Sequence, residues 1–251
     1  MKELSHAYSV LTEFALQTRG HRGRRIGSCL RVRAVFVCYM EGQRSGAFSG
    51  KAKHTGTARP DMVNAVCLAA DFVALLPKHE SPETTDGRQG FYAPMRVEGS
   101  IEAATVTVFL RDFDVGALQE RLKTVEALAA AVSRKYAGSS VSVTHCKQYA
   151  NMKDGVARNP AALETLVRAV RAAGLEPRFE PIRGGTDGAR LTELGIPAPN
   201  VFTGGHGSHS RTEWASLDQM EAAVRVLVET ARQWASFGEA ERPSSLKELG
   251  I

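Results

Sequence analysis

Between residues 44 and 150 the apolar residues change their spacing in a set order, and that order leaves few architectures open. Val63, Val66, Ala70, Val73 and Leu76 recur at helical spacing after Pro60, a residue tolerated in a first turn, and Pro77 ends the run. A polar stretch from Ser81 to Gly90 follows, and then a short run through Met95 to Val97. Ala104 to Leu110 puts Val106 and Val108 on one face and Thr105, Thr107 and Phe109 on the other, which predicts a strand paired with the preceding run through a turn at Gly99-Ser100. Asp114 caps a second predicted helix, whose stripe of Leu118, Leu122, Val125, Leu128 and Val132 runs to about Tyr136. Val141 and Val143 then alternate with Ser142 and Thr144. With a first strand near residues 46–53, the order is β-α-β-β-α-β, the split βαβ pattern of a sheet with two helices on one face.

The last hundred residues have another style. Asn159-Pro160 opens a predicted helix with Leu163, Leu166, Val167 and Val170 inward, and Gly174 stops it. A short strand is expected at Arg178–Ile182, a short helix at Ala189–Leu194 and a buried strand at Asn200–Thr203. Ser216 and Gln219 form a capping-box pattern before a final helix expected to bury Met220, Ala223, Val224, Leu227, Ala231 and Trp234. This is the α/β style of a layered domain, yet two short strands leave a parallel sheet with unprotected edges. Part of a larger layer is therefore expected to be missing.

Composition narrows the class. In 251 residues, 43% apolar and 24% charged, no apolar run reaches the roughly 20 residues a membrane helix needs. Cys29, Cys38, Cys67 and Cys146 are widely spaced, which argues against a zinc ribbon or a stapled secreted domain and for a reducing cytoplasm. Charge is uneven: residues 1–53 hold ten Lys or Arg against Glu3, Glu13 and Glu41, whereas the rest of the chain is slightly acidic. The basic segment suits a nucleic-acid patch, an organellar address or a degraded stretch, although it lacks interleaved aromatics and is poor in Ser.

Two loops concentrate chemistry. In Pro181-Ile182-Arg183-Gly184-Gly185-Thr186-Asp187-Gly188 a strand runs through glycines into a helix start, where Arg183 can clamp a carboxylate, or where Asp187 simply caps a tight turn. Thr203-Gly204-Gly205-His206-Gly207-Ser208-His209 carries two histidines at a strand end, suited to metal ligation or to general-base work. His54 sits in a loop before the first helix, while His6, His21, His79 and His145 have no constellation around them.

Together these phrases resemble peptidase T, the zinc-dependent tripeptide aminopeptidases, within the larger group of two-zinc exopeptidases and amidohydrolases with a lid domain. The matching stretches include His54-Thr55-Gly56-Thr57-Ala58, Glu80-Ser81-Pro82-Glu83-Thr84, Gly90-Phe91-Tyr92, Arg111-Asp112-Phe113-Asp114, Asn151-Met152-Lys153, Pro181 to Ala189 and Pro197 to Gly205, in order from about residue 45 to 236. The resemblance implies a zinc-binding α/β domain interrupted by a ferredoxin-like βαββαβ lid that also mediates homodimerisation. It divides the chain into an unmatched basic segment at 1–43, the lid at 44–150, the C-terminal part of the catalytic domain at 151–240 and a tail at 241–251. It places a zinc-ligand histidine at His209, the lid histidine that polarises the scissile carbonyl at His54, and the peptide-holding Asn and Arg at Asn151 and Arg183. It implies a peptide substrate, two zinc ions per complete site, a cytoplasmic location, and no nucleic-acid or membrane partner.

Departures from the family matter as much. Thr55 stands where the family has Pro after the lid histidine. Residues 1–43 hold no H-x-D pair, no Glu-Glu pair and no bridging Asp; only Glu41, in Tyr39-Met40-Glu41-Gly42, resembles the family's Asp-Gly-Gly ligand segment. A catalytic zinc needs about three protein ligands, an open water position and a nearby carboxylate. The expectation is a C-terminal portion of such an enzyme, inactive alone. The alternatives are a binding or dimerisation module, an enzyme half completed in trans by a separate zinc-binding chain, and a vestigial product. An RNA-binding sheet would need exposed aromatics that these strands lack.

Overall fold

The computed structural model describes residues 40–236, without the side chains of residues 40–45 and 149. It is a mixed α/β structure in two compact units, one reaching to Ala150 and the next beginning at Asn151. No described helix is long and apolar enough to cross a membrane.

The first unit runs β1 (Met40–Ser49), α1 (Ala65–Leu75), β2 (Phe91–Gly99), β3 (Ala103–Asp112), α2 (Val115–Lys135) and β4 (Ser140–Tyr149). The strands form one antiparallel sheet in the spatial order β2-β3-β1-β4. β1 pairs along one side with β3, from Met40 opposite Asp112 to Ser49 opposite Ala103, and along the other with β4, from Glu41 opposite Tyr149 to Ser49 opposite Ser140. This two-sided ladder corrects the expected strand at 46–53. Its start is set by backbone pairing, for which a stretch rich in Gly, Ser and Ala offers little side-chain alternation. It ends before Gly50, where a Cβ would stand 2.3 Å from the carbonyl oxygen of Ile101 and 2.4 Å from that of Val63.

β3 follows its sequence pattern. Ala104, Val106, Val108, Leu110 and Asp112 are buried, and the residues between them are half-buried. α1 starts at Ala65, after the expected Val63, because Asn64 Oδ1 accepts the Val66 N–H at 2.9 Å while Val63 bridges Lys51. Asp114 Oδ1 accepts the Ala117 N–H at 2.8 Å and opens α2, which buries Leu118, Leu122, Val125, Ala129 and Val132. Both helices contribute to one core with the sheet, centred on Phe48 and Phe72 at 5.5 Å between rings. Each fully buried side chain of that size contributes about 1.5–3 kcal/mol.

The second unit contains α3 (Lys153–Arg158), α4 (Pro160–Ala172), α5 (Asp187–Glu193), the two-residue strands β5 (Gly205–His206) and β6 (Trp214–Ala215), and α6 (Leu217–Ala235). Pro160 opens α4, and Gly174, at φ 78°, terminates it with the Leu175 N–H on the Val170 carbonyl. α4 and α6 pack on each other. The strands expected at Arg178–Ile182 and Asn200–Thr203 are absent among the described residues; Glu176 and Asn200 each take part only in a single-residue bridge. Extended segments become strands only when a neighbour supplies the ladder.

α6 also departs from expectation. It buries Gln219, Ala222, Ala223 and Val226, whereas Met220, Val224 and Ala231, expected inside, are exposed, the first two by 45% and 57%. Apolar residues cover more than half of its circumference, so periodicity alone does not select the stripe that packs. Ser216 makes no side-chain cap bond.

Candidate functional site

The residues singled out by sequence fall in both units. In the first, the chain leaves β1 and turns through a short 3-10 segment at Thr55–Thr57 that His54 caps. His54 Nδ1 accepts the Gly56 N–H at 3.1 Å, so the proton of the neutral ring sits on Nε2. A Cβ on residue 56 would lie 3.2 Å from that ring, and glycine there allows the imidazole to close down on the turn. The exposed His54 ring therefore presents an oriented N–H donor.

Nearby in sequence, two of the quoted phrases are joined by a residue that sequence reasoning passed over. Arg121 of α2 donates from Nε to Asp112 Oδ2 at 2.9 Å and from Nη1 to Glu80 Oε2, and its guanidinium lies over the Tyr92 ring. Burial pulls the guanidinium pKa down, but the hydrogen bonds it donates to the two carboxylates outweigh this and raise the net value. Gly90 is required beside this cluster, since a Cβ there would meet Asp112 Oδ2 at 2.1 Å. The only sequence signal was an Arg at the edge of an apolar stripe, a common surface pattern.

In the second unit Asn151 precedes α3, and its Oδ1 accepts the Lys153 N–H at 2.8 Å. Arg183 is half-buried in the irregular segment before α5. The structure brings these two segments together: Thr186 Oγ1 approaches Met152 Sδ at 3.9 Å, and a Cβ on Gly155 of α3 would strike Thr192 of α5. α5 is capped at Thr186, with Asp187 inside its first turn, which corrects the reading of Asp187 as the cap. Its carboxylate complements the helix end electrostatically and disfavours an anion there. Gly188 serves packing, because a Cβ would stand 2.6 Å from the Ala198 carbonyl. Asn200, 7% exposed, sits close by and keeps Nδ2 without a hydrogen-bond partner.

The loop with two histidines separates their roles. His206 is half-buried, stacks on Trp214 at 4.1 Å between ring centres, and meets Gln219 Oε1 at 2.7 Å through Nε2. Gln219, read as half of a capping box, is a buried partner of His206. His209 is exposed at φ 66°, and its backbone N–H donates to Glu213 Oε2 at 3.1 Å. Among the described residues no three His, Cys, Asp or Glu side chains gather closely enough to hold a metal ion. The side chain of Glu41, the other ligand candidate, lies outside the described residues. One imidazole does not make a zinc site, so the described residues do not fit a two-zinc centre.

Comparison with known proteins gives a consistent answer. The model of the peptidase family M20/M25/M40 matches residues 19–233, a span that begins inside the segment 1–43 that the resemblance left unmatched. The chain is 39% identical over 186 residues to the peptidase T of Clostridium perfringens, covering 74% of this chain and 46% of that one. With the peptidase T of Bacillus velezensis it shares 40% over 183 residues, 73% and 45% of the two chains. The chain thus spans about half the length of the curated relatives it matches. Among solved structures, the aminopeptidase PepT from Bacillus cereus superposes with a TM-score of 0.60 at 18% identity, over 82% of this chain and 55% of that one. A tripeptidase from Staphylococcus aureus gives 0.64 at 16%, over 79% and 53%. A Bacillus subtilis member of the M20 family, described as a dinuclear metal-binding peptidase, gives 0.51 at 16%, over 80% and 51%. These structures share the fold, and the sequence match across most of its length makes the chain a member of peptidase family M20/M25/M40.

Proposed function

We propose that this chain supplies the peptide-gripping and lid portions of a metallo-exopeptidase that removes the N-terminal residue of tripeptides, and that it does not hydrolyse them alone. The observation that carries this reading is the absence, among the described residues, of any cluster of three ligating side chains, around the exposed His209 or elsewhere. In the family the metal ions supply an activated water. With no fitting site among the described residues, their own role ends at binding and orienting the peptide.

On this reading residues 44–150 are the ferredoxin-like lid, through which two copies pair, and residues 151–240 belong to the catalytic domain. His54 offers its Nε2–H to the scissile carbonyl, while Asn151 and Arg183 hold the peptide. The protein works in the cytoplasm, without nucleic-acid or membrane partners. Its names for function come from relatives: peptidase T at 39–40% identity supports the tripeptide substrate.

The test is tripeptide hydrolysis by the purified chain with added zinc, alongside zinc titration of the chelator-stripped chain and its His209→Ala variant. No turnover and weak zinc binding are expected. Metal-dependent turnover by the chain alone would sink the proposal.

A further inference from the structure

The segment between α1 and β2 is held at both of its ends by one pair of side chains. On the near side, the 3-10 turn Lys78–Glu80 closes on the end of α1, where Lys78 Nζ donates to the Val73 carbonyl at 2.7 Å, and it delivers Glu80 to Arg121 Nη1. The other Glu80 oxygen meets the exposed His79, its neighbour in the same turn, at 3.5 Å. On the far side, Gly90 is buried against Asp112, whose Oδ2 accepts from Arg121 Nε at 2.9 Å and leaves no room for a Cβ on Gly90. Both ends therefore meet the same guanidinium–carboxylate pair. That pair is itself fixed, because Asp112 Oδ1 accepts the Asp114 N–H at 3.1 Å and the Arg121 guanidinium lies 4.9 Å from the Tyr92 ring centre.

Between these ends the chain folds on itself. The Ser81 N–H donates to Thr84 Oγ1 at 3.0 Å, Thr85 Oγ1 to the Ser81 carbonyl at 2.6 Å, and the Asp86 N–H to Gln89 Oε1 at 2.9 Å. The backbone N–H groups of Thr84 and Gln89 donate to the carbonyls of Ser81 and Asp86 at 3.2 and 3.0 Å. A loop bonded internally in this way keeps its shape when it moves. Ser81 and Thr85 are half-buried and the rest of residues 81–89 is exposed, so little buried surface opposes such a movement. We infer that Arg121 and Asp112 form a clasp, and that residues 81–89 are a flap that opens and shuts as one body when the Glu80 arm of the clasp releases and re-forms. Glu80 is the arm that gives way: its side chain is 35% exposed against 9% for Asp112, so water replaces Arg121 at Glu80 far more readily than at Asp112.

The test is amide hydrogen exchange of the full chain, resolved residue by residue by NMR, for the wild type and for Glu80→Gln, which keeps the side chain's size and removes its charge. In the wild type the amides of Ser81, Thr84, Asp86 and Gln89 should share one protection factor, lower than those of β3 and α2. Glu80→Gln should lower that shared factor about tenfold and leave β3 and α2 unchanged. Trypsin cleavage after Arg88, an exposed residue of the flap, should quicken by the same factor, because nicking requires the open form. Four amides with unrelated protection in the wild type would overturn the inference without any variant. So would a shared factor that Glu80→Gln does not move, or a loss of protection that spreads equally to β3 and α2, which would mark Glu80 as a contributor to overall stability alone.

Discussion

The imidazole of His206 lies flat on the indole of Trp214, with planes 13° apart, while its Nε2 is 2.7 Å from Gln219 Oε1. An amide oxygen accepts, so the ring nitrogen facing it carries the proton. The contact joins β5, β6 and α6 at one point. Two-residue strands do not hold a hairpin by themselves.

Removing that acceptor should therefore be felt beyond the ring. Gln219→Leu leaves a half-buried N–H without its partner and should destabilise the chain by about 1–3 kcal/mol. Trp214→Ala should cost about 0.5–1.5 kcal/mol through the lost ring contact. Urea unfolding of the two single variants and the double variant measures both, and effects that simply add would show that the three side chains do not act together.

Arg121 is the second test. It is the one cation between Glu80 and Asp112 in the contacts described, and the Asp112 side chain is only 9% exposed. Arg121→Met should destabilise by about 3–5 kcal/mol, because a buried carboxylate loses its counter-charge. Arg121→Lys should recover only part of this, since a point ammonium does not span two carboxylates and a ring as a planar fork does. Equilibrium denaturation of wild type and both variants decides it.

Close packing at two glycines predicts sharp intolerance. Gly90→Ala drives a methyl group to 2.1 Å from Asp112 Oδ2, and Gly188→Ala to 2.6 Å from the Ala198 carbonyl. Each should lower stability by about 1–3 kcal/mol through forced displacement of neighbours. Gly87→Ala is a useful contrast, because no atom lies within 4 Å there and only its φ of 57° opposes a side chain. Melting temperatures should rank Gly87→Ala as the mildest of the three.

A pH dependence follows from the exposed cluster that ties α1 to α2. Lys135 Nζ and Tyr136 Oη both donate to Asp71 Oδ2, and these bonds hold the Asp71 carboxyl below its ordinary value of 3.8. A carboxyl depressed in the folded state stabilises above its unfolded pKa and loses that contribution as pH falls through the folded value. Stability of the wild type should accordingly decline more than that of Asp71→Asn as pH drops from about 5 to below the depressed value. Parallel pH profiles for the two proteins would contradict the assignment.

Legibility in sequence depended on whether a signal was local. The Asp114 cap and the alternation of Val106, Val108 and Leu110 were readable because each depends on neighbours within a few residues. β1 was misplaced because its start is set by Asp112 and Tyr149, far away in sequence. For α6 the pattern offered two apolar faces, and only the position of Gln219 against His206 shows which one turned inward. The expected site residues came from resemblance to a family, not from spacing. The structure sets the Asn151 and Arg183 segments side by side through Met152 and Thr186, a proximity no local pattern announces.

Because Glu41 is the register partner of Tyr149, the chain enters and leaves the first unit on adjacent antiparallel strands. Such an arrangement behaves as a cassette. Cutting just before β1 and just after β4 removes a sheet and two helices without severing any strand of the sheet, and the cut ends of the cassette lie close together. A region bounded in this way carries its own core around Phe48 and Phe72, with both of its ends at one end of the β1–β4 pair.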